Sequence, residues 1–190
     1  MMHNGSIKKV QDIKVGDKIM GDDSTPRTIL TLARGEETMY KVIPEQGDSY
    51  VVNESHILSL KCTQDTERYK KGDIIDMSVL DYLSLPKSYH GSSSPLQGFR
   101  VPIHFSEKKL EIEPYRFGYQ SLHEKSSIPN KFKCNSRENR LQLLAGIIDS
   151  EGTIENNGYR IITKNENLLE DIIFLARSLG FAAYQKQQDK

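Results

Sequence analysis

The sequence predicts a β-rich N-terminal domain followed by an incomplete α+β domain of order αββαβ. Three observations carry this. Residues 1–86 break into short apolar pieces separated by Gly, Asp, Asn and Pro at intervals of roughly 8–12 residues, the spacing of many short strands. Residues 136–180 carry two helical apolar patterns on either side of an Asn-Asn-Gly turn. Between them lies SYHGSSSPLQGFR, rich in Ser, Gly and Pro, which reads as a linker. The expected division is therefore 1–86, a connecting segment 87–125, and 126–190.

In chain order, IKKVQDI is followed by VGDKIMGDDSTPRTILTL, where Asp22-Asp23-Ser24-Thr25-Pro26 forms a turn between two extended arms. ETMYKVI alternates as a strand should, and Tyr50-Val51-Val52 and Ile57-Leu58 are strand-like. MSVLDYLSLP predicts a short helix closed by Pro86. VPIHFSEKKLEIEPYRFG predicts one or two extended segments, and YQSLHEKSSIPNKFKCN is another polar stretch. Ser136 caps a helix on which Leu141, Leu144, Ala145 and Ile148 share one face. Thr153–Glu155 and Tyr159–Lys164 flank Asn156-Asn157-Gly158, whose residues accept positive φ. Asn165 caps a second helix with Leu168, Leu169, Ile172, Ile173, Leu175 and Ala176 on a wide apolar face. Gly180 ends that helix and FAAYQKQ opens another strand.

Lys plus Arg and Asp plus Glu are 26 each, so no global field directs the chain to nucleic acid or membrane, and any basic surface is local. The two cysteines, Cys62 and Cys134, form no CxxC pattern, which argues against a disulfide framework or zinc site. They are expected to pack as small apolar groups or to sit exposed. No apolar run reaches the length of a membrane span and MMHNGSIKK has no signal-peptide core. The expectation is a soluble, intracellular protein of cytoplasm or nucleus, with no membrane partner.

LLAGIIDSEGTI, residues 143–154, ends a helix on two carboxylates beside a glycine. Acids at a helix C-terminus face partly negative carbonyls and are electrostatically unfavourable unless something compensates. Leu144-Ala145-Gly146-Ile147-Ile148-Asp149-Ser150-Glu151-Gly152 resembles the LAGLIDADG motif of DOD-type homing endonucleases, and the flank Ser126–Pro129 and Asn135–Leu141 resembles the approach to its second copy in inteins. The resemblance implies that Ala145 and Gly146 let two motif helices pack closely. It assigns Glu151 as the catalytic, metal-binding acid of the endonuclease, with Asp149 a weaker ligand, and Mg2+ as the ion. It also implies double-stranded DNA as partner, with the hairpin 153–164 in the major groove. Period-two alternation along that hairpin sets Arg160, Ile162 and Lys164 on one face. Glu113–Gly118 resembles the opening of a first motif copy, yet Tyr119-Gln120-Ser121-Leu122-His123 follows it, with no acid and no helix-length apolar run. The first repeat is thus expected to be largely lost, and nuclease activity with it unless two chains pair as a homodimer through the motif helix.

Asn4–Ile7, Val15–Gly21, Pro26-Arg27 and Arg34–Tyr40 resemble the splicing (Hint) domain of inteins, especially the type carried by the catalytic subunit of the yeast vacuolar ATPase. GDSYVVNESHILSL, residues 47–60, resembles the block that ends in Thr-x-x-His or Asn-x-x-His. By that resemblance His56 is the acid/base that protonates a departing amide nitrogen, and Asn53 hydrogen-bonds the strained peptide. Splicing needs no cofactor. His3, His90, His104 and His123 have no comparable setting. The first nucleophile and the terminal His-Asn of the family are not found, so the chain reads as truncated at both ends and unable to splice as given. Its partners are then flanking host segments (exteins) or a complementary intein segment. The alternatives are a DNA-binding module that does not cleave, and a split-intein-like half.

Overall fold

The computed structural model describes residues 1–120, 126–156 and 158–186. Their packing falls into two units, Met1–Ala33 with Val101–Lys190, and Arg34–Arg100. This partition cuts the chain elsewhere than the expected modules: the leading 33 residues pack with the C-terminal half.

In that leading segment β1 (Lys18–Met20) pairs antiparallel with β2 (Pro26–Thr28), Met20 opposite Pro26. The intervening turn is the expected one. Asp23 Oδ1 accepts the Thr25 N–H at 2.9 Å, and Ser24 takes a positive φ of 64°. Gly5, at φ 88°, lies so close to Cys134 that a Cβ there would stand 2.3 Å from its Sγ. Both residues are buried, and burial pushes the Cys134 thiol up.

The second unit is built on β3 (Met39–Val42) paired antiparallel with β4 (Tyr50–Asn53), and on a sheet of order β6–β5–β7. Its strands are β5 (Ile57–Cys62), β6 (Ile74–Ser78) and β7 (Leu96–Gln97). α1 (Val79–Ser84) starts in a reciprocal capping box between Ser78 and Asp81 and stops before Pro86, as the sequence predicts. The core is small: Cys62, Met77, Tyr89 and Leu96, flanked by half-buried Leu60, Tyr69 and Ile75.

Back in the first unit, residues 101–113 carry no strand, contrary to the extended segments expected. They are tied down singly instead, Ile103 N–H to Ser178 O at 2.8 Å and Lys108 N–H to Asn135 Oδ1 at 2.9 Å. Then come α2 (Pro114–Gln120), α3 (Asn130–Lys133), α4 (Arg137–Glu151), the hairpin β8 (Gly152–Glu155)–β9 (Gly158–Ile161), and α5 (Glu166–Ser178). Ser136 and Asn165 cap α4 and α5 through Asn139 N–H and Leu168 N–H. Gly180, at φ 94°, closes α5 with its N–H on Arg177 O at 3.0 Å. Leu143, Leu144 and Ile147 of α4 meet Leu168, Ile172 and Leu175 of α5, with Phe117 stacked on Phe132 at 4.0 Å.

Four expectations need correcting. The buried face of α4 is Arg140, Leu143, Leu144 and Ile147. Leu141 and Ile148 flank it and Ala145 is exposed, about 100° round the helix from Gly146. A helix, α2, forms where none was expected. β9 ends at Ile161, so the alternation does not run on through Ile162 to Lys164, which sits in a bend before α5. Residues 181–186 carry no ladder; Phe181 N–H bonds Ala176 O at 3.1 Å and Ala183 O accepts from Arg177 Nε at 3.0 Å instead. The middle of the predicted hairpin turn, Asn157, and His123 lie outside the described residues.

Candidate functional site

α2 and α4 touch backbone to backbone. A Cβ on Gly146 would lie 2.2 Å from Tyr115 O and 3.0 Å from Tyr119 N; a Cβ on Gly118 would lie 2.4 Å from Leu143 O and 3.0 Å from Ile147 N. Each glycine thus sits over the carbonyl-to-amide step that spans one turn of the other helix. The two halves map onto each other by a shift of 28 residues, the separation of Gly118 and Gly146. The close approach that Ala145 and Gly146 were expected to offer a partner is met by Gly146 alone. The face expected to join two chains is covered by α2 of the same chain.

Beyond the crossing stand the two acids. Asp149 is exposed, and its Oδ2 accepts a hydrogen bond from the Tyr115 hydroxyl at 3.1 Å. That bond, followed by desolvation, raises the Tyr115 phenol above its ordinary value, so it remains a donor across neutral pH. Tyr115 also stacks on Tyr119 with ring centroids 6.0 Å apart. Glu151 ends α4 half-buried. Among the described residues no three Asp, Glu, His or Cys side chains stand close enough to hold a metal. In sequence, the residues 28 before Asp149 and Glu151 are Ser121 and His123, neither an acid, and both lie outside the described residues.

The hairpin exposes Ile154, Tyr159 and Arg160, with Ile162 just beyond it. Register places Thr153 opposite Arg160 and Ile154 opposite Tyr159, so Arg160 shares its face with Glu155. The two form an exposed ion pair at 3.6 Å, which leaves that face with little net charge.

In the second unit, Asn53 ends β4 and His56 precedes β5. His56 N–H bonds Asn53 O at 3.1 Å, closing a four-residue turn. Val79 N–H fixes His56 O at 3.1 Å, and the His56 side chain is exposed. Beside the turn, Glu37 Oε2 accepts from Asn53 Nδ2 at 2.7 Å and from Ser55 Oγ at 2.9 Å, while Asn53 Nδ2 also donates to Ser55 Oγ at 2.8 Å. The hydrogen bonds from Ser55 and then Asn53 hold the Glu37 carboxyl below its usual range, so it is ionised at neutral pH.

Two known families match parts of this chain. The family described as Hom_end-associated Hint matches residues 1–111, more than half of the chain. The chain belongs to that family. Residues 127–190 match the family described as Homing endonuclease, so a Hint region and a homing-endonuclease region are joined, as in an intein. A curated relative, the V-type proton ATPase catalytic subunit of Candida tropicalis, is 36% identical over 77 residues. That match covers 35% of this chain and 7% of the relative. No helix among the described residues is long and apolar enough to cross a membrane.

In the Hint region the sequence pointed to Asn53 and His56 but not to Ser55 within the same turn, nor to Glu37, which reaches the turn through the β3–β4 pairing. In the homing-endonuclease region it missed Tyr115 as the partner of Asp149. A signal for α2 existed, since Gly118 lies in Arg116-Phe117-Gly118, an apolar-small pair like Ala145-Gly146.

Proposed function

We propose that this chain is an intein segment: the N-terminal part of a Hint protein-splicing domain joined to a LAGLIDADG (DOD-type) endonuclease region that binds double-stranded DNA without cutting it. The observation that carries the splicing reading is the closed Asn53–His56 turn, which brings an imidazole and a carboxamide to one exposed edge. In the reaction, a thiol sulfur at the intein's first residue bonds to the preceding carbonyl carbon. The C–N bond breaks and the departing nitrogen takes a proton, which His56 delivers while Asn53 holds the peptide. The test is the full chain extended upstream to carry a Cys start and a short extein. Thiol-induced cleavage should be detectable and should fall about 100-fold in His56→Ala, within the usual range for a lost general acid. Cleavage indifferent to His56 overturns the reading.

Loss of cutting is supported by the Tyr115 hydroxyl that occupies Asp149. With Mg2+, the chain should leave DNA bearing a vacant insertion site intact. Site-specific double-strand breaks that vanish in Glu151→Gln would overturn this.

A second reading, a split-intein-like half that acquires a complementary segment, is favoured by one feature. Among the described residues β3–β4 pairs with no third strand, and Met39, Ile43 and Val51 around it are exposed. Two strands alone are marginal in water, and open edges invite pairing. Under this reading the partners are exteins or an intein segment inside the cell.

A further inference from the structure

The Asn53 side chain has a fixed sense. An ionised carboxylate only accepts hydrogen bonds, so the Asn53 atom 2.7 Å from Glu37 Oε2 is Nδ2; an Oδ1 there would set lone pair against lone pair. Ser55 uses up the rest of that nitrogen. Its hydroxyl proton goes to Glu37 at 2.9 Å, so its oxygen accepts the second Nδ2 hydrogen at 2.8 Å. Both amide hydrogens of Asn53 are thereby engaged in a triangle of Glu37, Asn53 and Ser55. The backbone holds the triangle together: Met39 pairs with Asn53, and Glu54 N–H bonds Thr38 O at 3.0 Å, laying residues 37–38 along the turn.

We propose that Glu37 is a positioning residue that presents Asn53 with Oδ1 as its outward valence, so that Asn53 acts on a scissile peptide as an acceptor for its N–H. The proposal rests on the splicing reading and narrows it. A carboxamide could otherwise serve either end of the peptide, its NH2 on the carbonyl oxygen or its C=O on the nitrogen. Here the first option is closed, and the negative charge of Glu37 disfavours a developing oxyanion nearby while it polarises Oδ1 toward an N–H donor. As the C–N bond breaks and His56 protonates the nitrogen, that nitrogen becomes the better donor, and the Asn53 contact strengthens in the direction of reaction.

Two measurements test this. In the 15N-labelled chain, the Asn53 side-chain NH2, assigned by its loss in Asn53→Ala, should exchange slowly with water for both hydrogens. Glu37→Ala should make both fast, whereas Glu37→Gln, which keeps an acceptor, should retain the protection. In the Cys-extended chain, Glu37→Ala should slow thiol-induced cleavage about tenfold, equivalent to about 1.4 kcal/mol, with unchanged circular dichroism, and Glu37→Gln, which keeps the acceptor but not the charge, should recover only part of that loss. If His56→Ala suppresses cleavage but Glu37→Ala changes neither exchange nor rate, the positioning role is wrong and the splicing reading stands. Altered exchange with an unaltered rate likewise overturns it. If His56→Ala is also silent, the splicing reading has failed.

Discussion

Replacing Gly146 with alanine should cost about 3 kcal/mol of stability or more, read as a shifted midpoint in urea unfolding followed by circular dichroism. The added methyl would stand 2.2 Å from Tyr115 O and 3.0 Å from Tyr119 N. Neither atom belongs to a flexible side chain. Relief therefore requires whole helices to separate by roughly 1 Å to reach ordinary contact. Separation disturbs Phe117, which is 1% exposed and stacked on Phe132, and with it the layer between α2 and the α4–α5 core. Ala145→Ser is the control. Its side chain faces solvent, and the change should stay within about 0.5 kcal/mol. Similar losses at 145 and 146 would mean that α4 packs through a different face.

The crossing also predicts coupling. Gly118→Ala forces the same gap open from the other side, its methyl 2.4 Å from Leu143 O. Once one methyl has spread the helices the second fits more easily, so the double variant should lose clearly less than the sum of the singles. Because α2 and α4 belong to one chain, these losses should not vary with protein concentration. A midpoint that rises with concentration would restore the expectation of two chains joined at this helix.

How far the sequence reveals the fold follows from the range of the interactions involved. Ser136, Asn165, the helix stop at Pro86 and the Asp22–Pro26 turn act within a few residues of themselves, and each was readable from residue type and spacing. α2 was legible only as a resemblance at Glu113–Gly118, because a seven-residue helix is too short to be stable on local propensity; packing of Phe117 and the Gly118–Gly146 contact hold it in place. The strand expected at FAAYQKQ failed for the converse reason: alternation is local, a ladder is not. The Asn53-x-x-His56 spacing reads as one turn, but Glu37 joins it through strand pairing 16 residues away. Asp149 was given a weaker ligand role beside Glu151, as the resemblance implies, with no side-chain partner foreseen for it. A phenol 34 residues upstream supplies a neutral partner that no local pattern announces.

Arg140→Met should be comparably damaging, about 4 kcal/mol, because it strips donors from several buried acceptors at once. Arg140 is fully buried. Nε bonds Asn135 O at 2.9 Å, Nη1 bonds Ser178 O at 2.9 Å and Ser178 Oγ at 2.6 Å, and Nη2 reaches Ile103 O. Its guanidinium carbon lies 5.1 Å from the Phe105 ring centre. One side chain thus joins α4 to the end of α5 and to the segment that precedes α2. Methionine fills much of the volume yet leaves three carbonyls without this donor, whereas Arg140→Lys keeps the charge but cannot span the fork and should recover only part of the loss. Burial lowers the guanidinium to about 10, and the sign of its pH effect follows. Below about pH 9 the folded and unfolded states both hold the proton, so this group adds no pH dependence. Only between about 10 and its ordinary value does the unfolded state bind more protons, and there its contribution to stability rises with pH. The difference between wild type and Arg140→Met should therefore be flat from about pH 6 to 8 in urea titrations. A difference that changes steeply across neutrality would show that a carboxylate or histidine, rather than this set of carbonyls, holds the charge.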